Sequence, residues 1–144
     1  MSDYRTLLTD AIHVNRQALA AALTRLHITE VIVTYEGRDG SGGIAELIVK
    51  PVELATVLDQ ESLDYRCVIG EFQDTDYEYE MIDRSFSVNQ ALRDFTITWA
   101  EFHHANWEVD EGSEGKVTLN TVNAHCQLCH TAFHLQHTDY CYEL

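Results

Sequence analysis

The sequence predicts an α+β fold in which two helices pack on a largely antiparallel sheet, in the order α-β-β-(mixed)-α-β-β. Two stretches with apolar residues at helical spacing predict the helices, and two pairs of β-rich segments, each joined by a short turn, predict the sheet. From Asp3 to about Leu26, Leu8, Ile12, Leu19, Leu23 and Leu26 fall on one face with Ala11, Ala20 and Ala22 beside them. That stripe belongs to a helix with one buried side. Ile28 to Tyr35 and Ile44 to Val49 are rich in β-branched residues and flank EGRDGSGG, read as a loop whose glycines supply positive φ. Together they make a hairpin, and Pro51 ends its second strand by removing a backbone donor.

Between Val52 and Asp83 the pattern is mixed: a short helix at VELATVL, then RCVIGEF and DYEYEMI as strands around Asp74 and Thr75. Ser87 and Gln90 then stand at capping-box spacing, and Leu92, Phe95, Trp99 and Phe102 follow at helical spacing. The second helix therefore runs from about Val88 to His104. Lys116 to Thr121 and Ala124 to about Phe133 flank a short turn near Val122 and Asn123, which is a second hairpin. With seven glycines, one proline and no linker-like run in 144 residues, the expectation is a single domain over residues 1–144.

The start, MSDYRTLLTDAIHVNRQ, has no basic region followed by an apolar one, and no stretch approaches the roughly 20 apolar residues of a membrane span. The expectation is a cytoplasmic protein with no membrane partner. In a reducing compartment Cys67, Cys126, Cys129 and Cys141 are expected as free thiols or metal ligands ahead of disulfides.

Twenty-four carboxylates stand against nine basic side chains, a formal charge of −15. That field repels nucleic-acid phosphates and anionic membranes, so direct nucleic-acid binding is disfavoured and a basic protein surface is the expected partner. The acidity is also patterned. Asp74, Asp76, Glu78 and Glu80 alternate with Thr75, Tyr77, Tyr79 and Met81, so an extended chain carries four carboxylates on one face. Alternate residues of a strand lie about 6.8 Å apart, loosely the spacing of successive phosphates, so the ridge is a candidate nucleic-acid mimic. The same charge also serves solubility alone. Glu108, Asp110 and Glu111 in the loop Trp107 to Gly115 join the candidate partner-binding set. This loop lacks the ligand positions of an EF-hand, and its glycines are read as shaping a turn over a buried Trp107.

Between His103 and Cys141 lie six histidines and three cysteines. Cys126, Cys129, His134 and Cys141 spell C-x2-C-x4-H-x6-C, near a zinc knuckle but longer at its end. Zinc requires Cys126 and Cys129 to converge through a tight turn, whereas in a strand residues three apart face opposite sides. The two readings exclude each other, and the absence of Gly or Pro between the cysteines favours the strand. CQLCH also spells a haem-attachment sequence, which the missing export signal disfavours, and a redox C-x-x-C belongs at a helix start. Cys67, within YRCVIGEF, reads as a core residue of a strand. His103 and His104 read as cations at a helix C-terminus.

HHANWEVDEGSEGKVTLN resembles a pattern, H-x-x-W-E-x-[ND]-[DE]-G-x-x-G, found in a family of small, acidic, uncharacterised bacterial proteins of plasmids and other mobile elements. His104, Trp107, Glu108, Asp110, Glu111, Gly112 and Gly115 fill its places; Asp139, Tyr140, Tyr142, Glu143 and Leu144 are similar to the family's tail, and ITEVIVTYEGRDGSGGIAEL to its first hairpin. The resemblance implies a fold and no activity. The relatives' final strands are poor in Cys and His, so the cluster above departs from the family.

The function expected is that of a non-enzymatic, acidic protein-binding module without a cofactor: an inhibitor of a nucleic-acid-binding defence complex or an immunity partner of a basic toxin. The alternative is a small zinc-binding domain using the C-terminal Cys/His cluster. A hydrolase would need a cleft that holds Cys67 or several of the histidines.

Overall fold

A computed structural model describes residues 4–38, 40–73, 76–105, 107, 112–133 and 138–144. Its elements are α1 (Tyr4–Arg25), β1 (Glu30–Arg38), β2 (Ser41–Lys50), a short 3-10 helix (Val52–Asp59), β3 (Ser62–Gln73), β4 (Asp76–Ser87), α2 (Val88–His103), β5 (Ser113–Asn120), β6 (His125–Ala132) and β7 (Thr138–Glu143). The α+β class and the rough order stand, with a correction to the architecture. Among the described residues, two helices on one sheet become three helices with two antiparallel sheets: a five-stranded one, ordered β2-β1-β5-β6-β7, and the separate hairpin β3-β4.

Alternation along the strands decides where the core lies. Val31, Val33 and Tyr35 of β1, Val117 and Leu119 of β5, and Cys126 and Leu128 of β6 all point to one face of the large sheet. There they form one cluster with Ile12, Leu19 and Leu23 of α1 and Leu92, Phe95 and Trp99 of α2. The helices cover that face alone; the opposite face carries Lys116, Gln127, Cys129 and Glu143. Ser87 caps α2 by accepting a hydrogen bond from the Gln90 N–H at 3.0 Å, the pairing its sequence position predicts.

The segment EGRDGSGG is mostly strand and scarcely loop. The β1–β2 ladder runs out to Arg38 and Ser41. Of its glycines only Gly40 uses positive φ, at 81°. The acidic tail is likewise a strand, β7, hydrogen-bonded to β6 at the edge of the large sheet. Among the described residues no helix is long and apolar enough to cross a membrane.

The hairpin β3–β4 is held at its base, where Tyr65 and Phe86 stack at 4.7 Å, and along β3 by α1, one of whose side chains bonds the strand's backbone. Asn15, only 3% exposed, donates its amide to the Arg66 carbonyl at 2.8 Å and accepts from the Arg66 N–H at 2.7 Å. The amide thereby imitates a neighbouring strand at one residue of a sheet edge that no strand covers among the described residues. Replacing Asn15 with Leu strands both Arg66 groups, so a loss of about 2 kcal/mol is expected in urea unfolding, with faster amide exchange at Arg66. An unchanged midpoint and unchanged exchange would show that the contact contributes nothing.

Candidate functional site

The register of β3 against β4 sorts the hairpin's side chains by face. Glu71 pairs with Glu78, Ile69 with Glu80, Phe72 with Tyr77 and Gly70 with Tyr79. One face therefore carries Glu71, Asp76, Glu78 and Glu80, all exposed, and the other Phe72, Tyr77 and Tyr79. The ridge expected from alternation is present at Asp76, Glu78 and Glu80; Asp74 lies outside the described residues. Glu71 was not foreseen, because its membership depends on the cross-strand register. Like charges directly opposite each other destabilise a sheet, so the Glu71–Glu78 pair works against the hairpin's own folding. Glu108, Asp110 and Glu111 also lie outside the described residues.

At the C-terminal end the strand reading of residues 126–130 prevails. Cys126 and Leu128 are buried on the core face of β6, and Cys129 points to the other. Burial first, and Glu143 last, raise the Cys126 thiol to about 11, against a smaller lowering by Arg16. Cys129 lies directly across from Cys141 of β7 and forms a disulfide with it on the open face of the sheet. The expectation of free or metal-bound thiols is corrected there, because the last residues form a partner strand for β6 and not a tail. Cys126 and Cys129 diverge, as haem attachment and a shared zinc ion cannot allow, and His134 lies outside the described residues. Among the described residues no group of three His, Cys, Asp or Glu is placed to hold a metal.

Three histidines do gather, though not at a thiol. The Tyr35 hydroxyl and His130 Nδ1 share a hydrogen bond at 2.5 Å, and His130 stacks on His104 at 4.0 Å and 11°. His104 Nε2 shares another with the Tyr142 hydroxyl at 3.0 Å, and Tyr142 stacks on His103 at 3.9 Å and 7°. Gly115 makes the arrangement possible, because any side chain there would meet the Tyr35 ring and the Cys129 carbonyl. Burial, then the neighbouring His104, pushes His130 down to about 4; burial lowers His104 and His103 as well. These imidazoles are neutral near pH 7, which corrects the expectation that His103 and His104 serve as helix-end cations. The signal for the cluster was the density of His and Tyr after His103, but only the fold shows which rings meet.

Cys67 is half-buried on β3, and burial, then Asp94, raises its thiol. It lines a cavity of about 570 Å³ with Arg5, Tyr65, Asp94 and Thr98, and no described histidine shares that wall. The Cys–His arrangement of a hydrolase therefore does not form among the described residues.

Comparisons with curated proteins and with solved structures found no match. A family described as a family of unknown function, DUF6878, matches residues 11–144, so that nearly the whole chain, from the middle of α1 through β7, is accounted for by it. With that coverage, the chain belongs to the DUF6878 family.

Proposed function

We propose that the chain is a non-enzymatic, cytoplasmic protein-binding module that takes a basic protein surface on the acidic face of the β3–β4 hairpin. The observation that carries this reading is the like-charge pair Glu71–Glu78 within a row completed by Asp76 and Glu80, all exposed. A fold retains such a repulsive pair without gain to its core, whereas a cationic partner converts it into attraction. The overall charge of −15 adds long-range steering toward such a partner. Row spacing near that of extended phosphates fits an inhibitor that occupies the nucleic-acid groove of a defence complex, and the same chemistry fits an immunity partner of a basic toxin. Carriage on mobile elements, implied by the resemblance at Trp107 to Gly115, suits either role.

Changing Asp76, Glu78 and Glu80 together to Lys should slow association with an immobilised lysine- and arginine-rich peptide at least about tenfold at low salt. The melting temperature should hold or rise, since the Glu71–Glu78 repulsion is replaced by attraction. Wild-type association should fall steeply as salt is added. Equal on-rates for the two proteins at low salt would reduce the row to a solvated face and end the proposal.

A further inference from the structure

On the hairpin face opposite the carboxylates the aromatic rings form a continuous ribbon. Phe72 meets Tyr77 edge-on at 5.9 Å, Tyr77 lies 5.5 Å from Tyr79, and Tyr79 lies 4.8 Å from Tyr4 at the start of α1. Gly70 keeps the ribbon unbroken, since a side chain there would collide with the rings of both Tyr77 and Tyr79. Toward the tip, Phe72 is 64% exposed and Tyr77 52%. Rings this exposed on an outlying arm contribute little to the core, and a contiguous exposed apolar surface marks an interaction site.

We infer that this ribbon is the second half of the partner site and that it selects arginine, so that the partner is an arginine-rich segment of a basic protein. The inference rests on the reading of the acidic face given above. Charge decides among occupants: a second copy of the chain brings the same −15, and a single-stranded nucleic acid, which also stacks on aromatic rings, is repelled. A cationic segment is attracted. Of the two cationic side chains, the guanidinium is planar and weakly hydrated, and it can lie flat on a ring while its N–H edges stay hydrogen-bonded at the rim. The ammonium group of lysine is compact and strongly hydrated, and gains less. The chain itself contains one such pairing beside the ribbon, with Arg5 Cζ 4.0 Å from the Phe102 ring centroid and its Nη1 donating to the Phe102 carbonyl at 3.2 Å. Along β4 carboxylate and ring alternate from Asp76 to Glu80 and so face opposite sides; an extended segment laid along the β4 edge, whose own side chains alternate, would offer one arginine to the rings and the next to the carboxylates.

The test compares octa-arginine with octa-lysine by fluorescence anisotropy at low salt, using the full chain. The wild type should prefer octa-arginine by about four- to twenty-five-fold, about two- to fivefold for each of two rings. Phe72→Leu with Tyr77→Leu keeps apolar area and removes the π faces, and should abolish that preference while leaving octa-lysine binding as it was. Both positions face solvent, so folding should survive; if the double variant fails to fold, Phe72→Leu alone should halve the preference or better. Equal binding of the two peptides by the wild type, or a preference that survives loss of the rings, overturns the arginine inference and leaves the acidic-face reading standing. Binding of neither peptide overturns both.

Discussion

Trp107→Ala should lower the stability of the fold by about 3–5 kcal/mol, the cost of emptying a large aromatic site in a core. The indole is 6% exposed and belongs to the main hydrophobic cluster. It stands edge-on to Tyr35 at 5.0 Å and 77°, and its six-membered ring lies over Gly42 of β2. The backbone is held as well, because the Ser113 hydroxyl donates to the Trp107 carbonyl at 2.6 Å. Trp107 thus wedges the exit of α2 against the β1–β2 hairpin and fixes where β5 begins. For a domain whose total stability is about 5–15 kcal/mol, this loss shifts the melting temperature on the order of 10–20 °C.

Two controls separate packing from loop chemistry. A Cβ at Gly42 would lie 2.7 Å from the Trp107 ring, whereas one at Gly43 would meet nothing within 4 Å. Gly42→Ala should therefore destabilise while Gly43→Ala does not, although both glycines sit in the same strand. Among the described residues the Trp107 Nε1 has no hydrogen-bond partner, so Trp107→Phe, which removes the stranded donor, should cost much less than Trp107→Ala. A normal melt for Trp107→Ala, together with collapse of Asp110→Ala, would transfer the structural role from the ring to the loop's carboxylates.

The contrast between what the sequence disclosed and what it hid follows from the range of the interactions involved. Local signals are reliable: the helical stripes of α1 and α2, the Ser87 cap and the alternation of DYEYEMI each lie within one short contiguous stretch, and each forms the expected element. Strand β7 is hidden because its six residues include Asp139 and Glu143, poor strand formers, and its Tyr140 and Tyr142 make sense only against the histidines at the end of α2. Once β7 was read as a tail, the Cys129–Cys141 disulfide could not be foreseen, since that pairing is a consequence of register. The histidines show the same limit. His104 was judged by its own helix end, yet its environment is set by His130 and Tyr142, which arrive from later strands. On the hairpin, the carboxylate row of β4 was legible and Glu71 was not, because only the ladder places it beside Glu78.

Acid should weaken the fold through His130, by about 3 kcal/mol between pH 6.5 and pH 4. The side chain is 2% exposed, and burial, then His104, pushes its pKa from 6.5 down to about 4. The unfolded chain therefore binds a proton that the folded chain refuses over that window, at about 1.4 kcal/mol per pH unit. Stability from this group is complete above pH 6.5 and is lost as pH falls toward 4. His104, stacked on His130, and His103 are lowered by burial too, so they add in the same direction. The phenols that face the imidazoles, Tyr35 and Tyr142, are raised by burial and stay protonated throughout. Opposing them, protonation of the many carboxylates relieves self-repulsion as pH falls, so the slope of the wild type alone mixes two effects. The difference between wild type and His130→Leu isolates the histidine: the variant should be less stable at pH 7, with the Tyr35 hydroxyl unpaired, and flatter between pH 6.5 and 4. Urea unfolding at several pH values measures both slopes, and an NMR titration of the His130 ring reads the pKa directly. Parallel slopes with a ring titrating near 6.5 would mean that protonation is tolerated, and that the stack of His104 on His130 opens to water before the fold does.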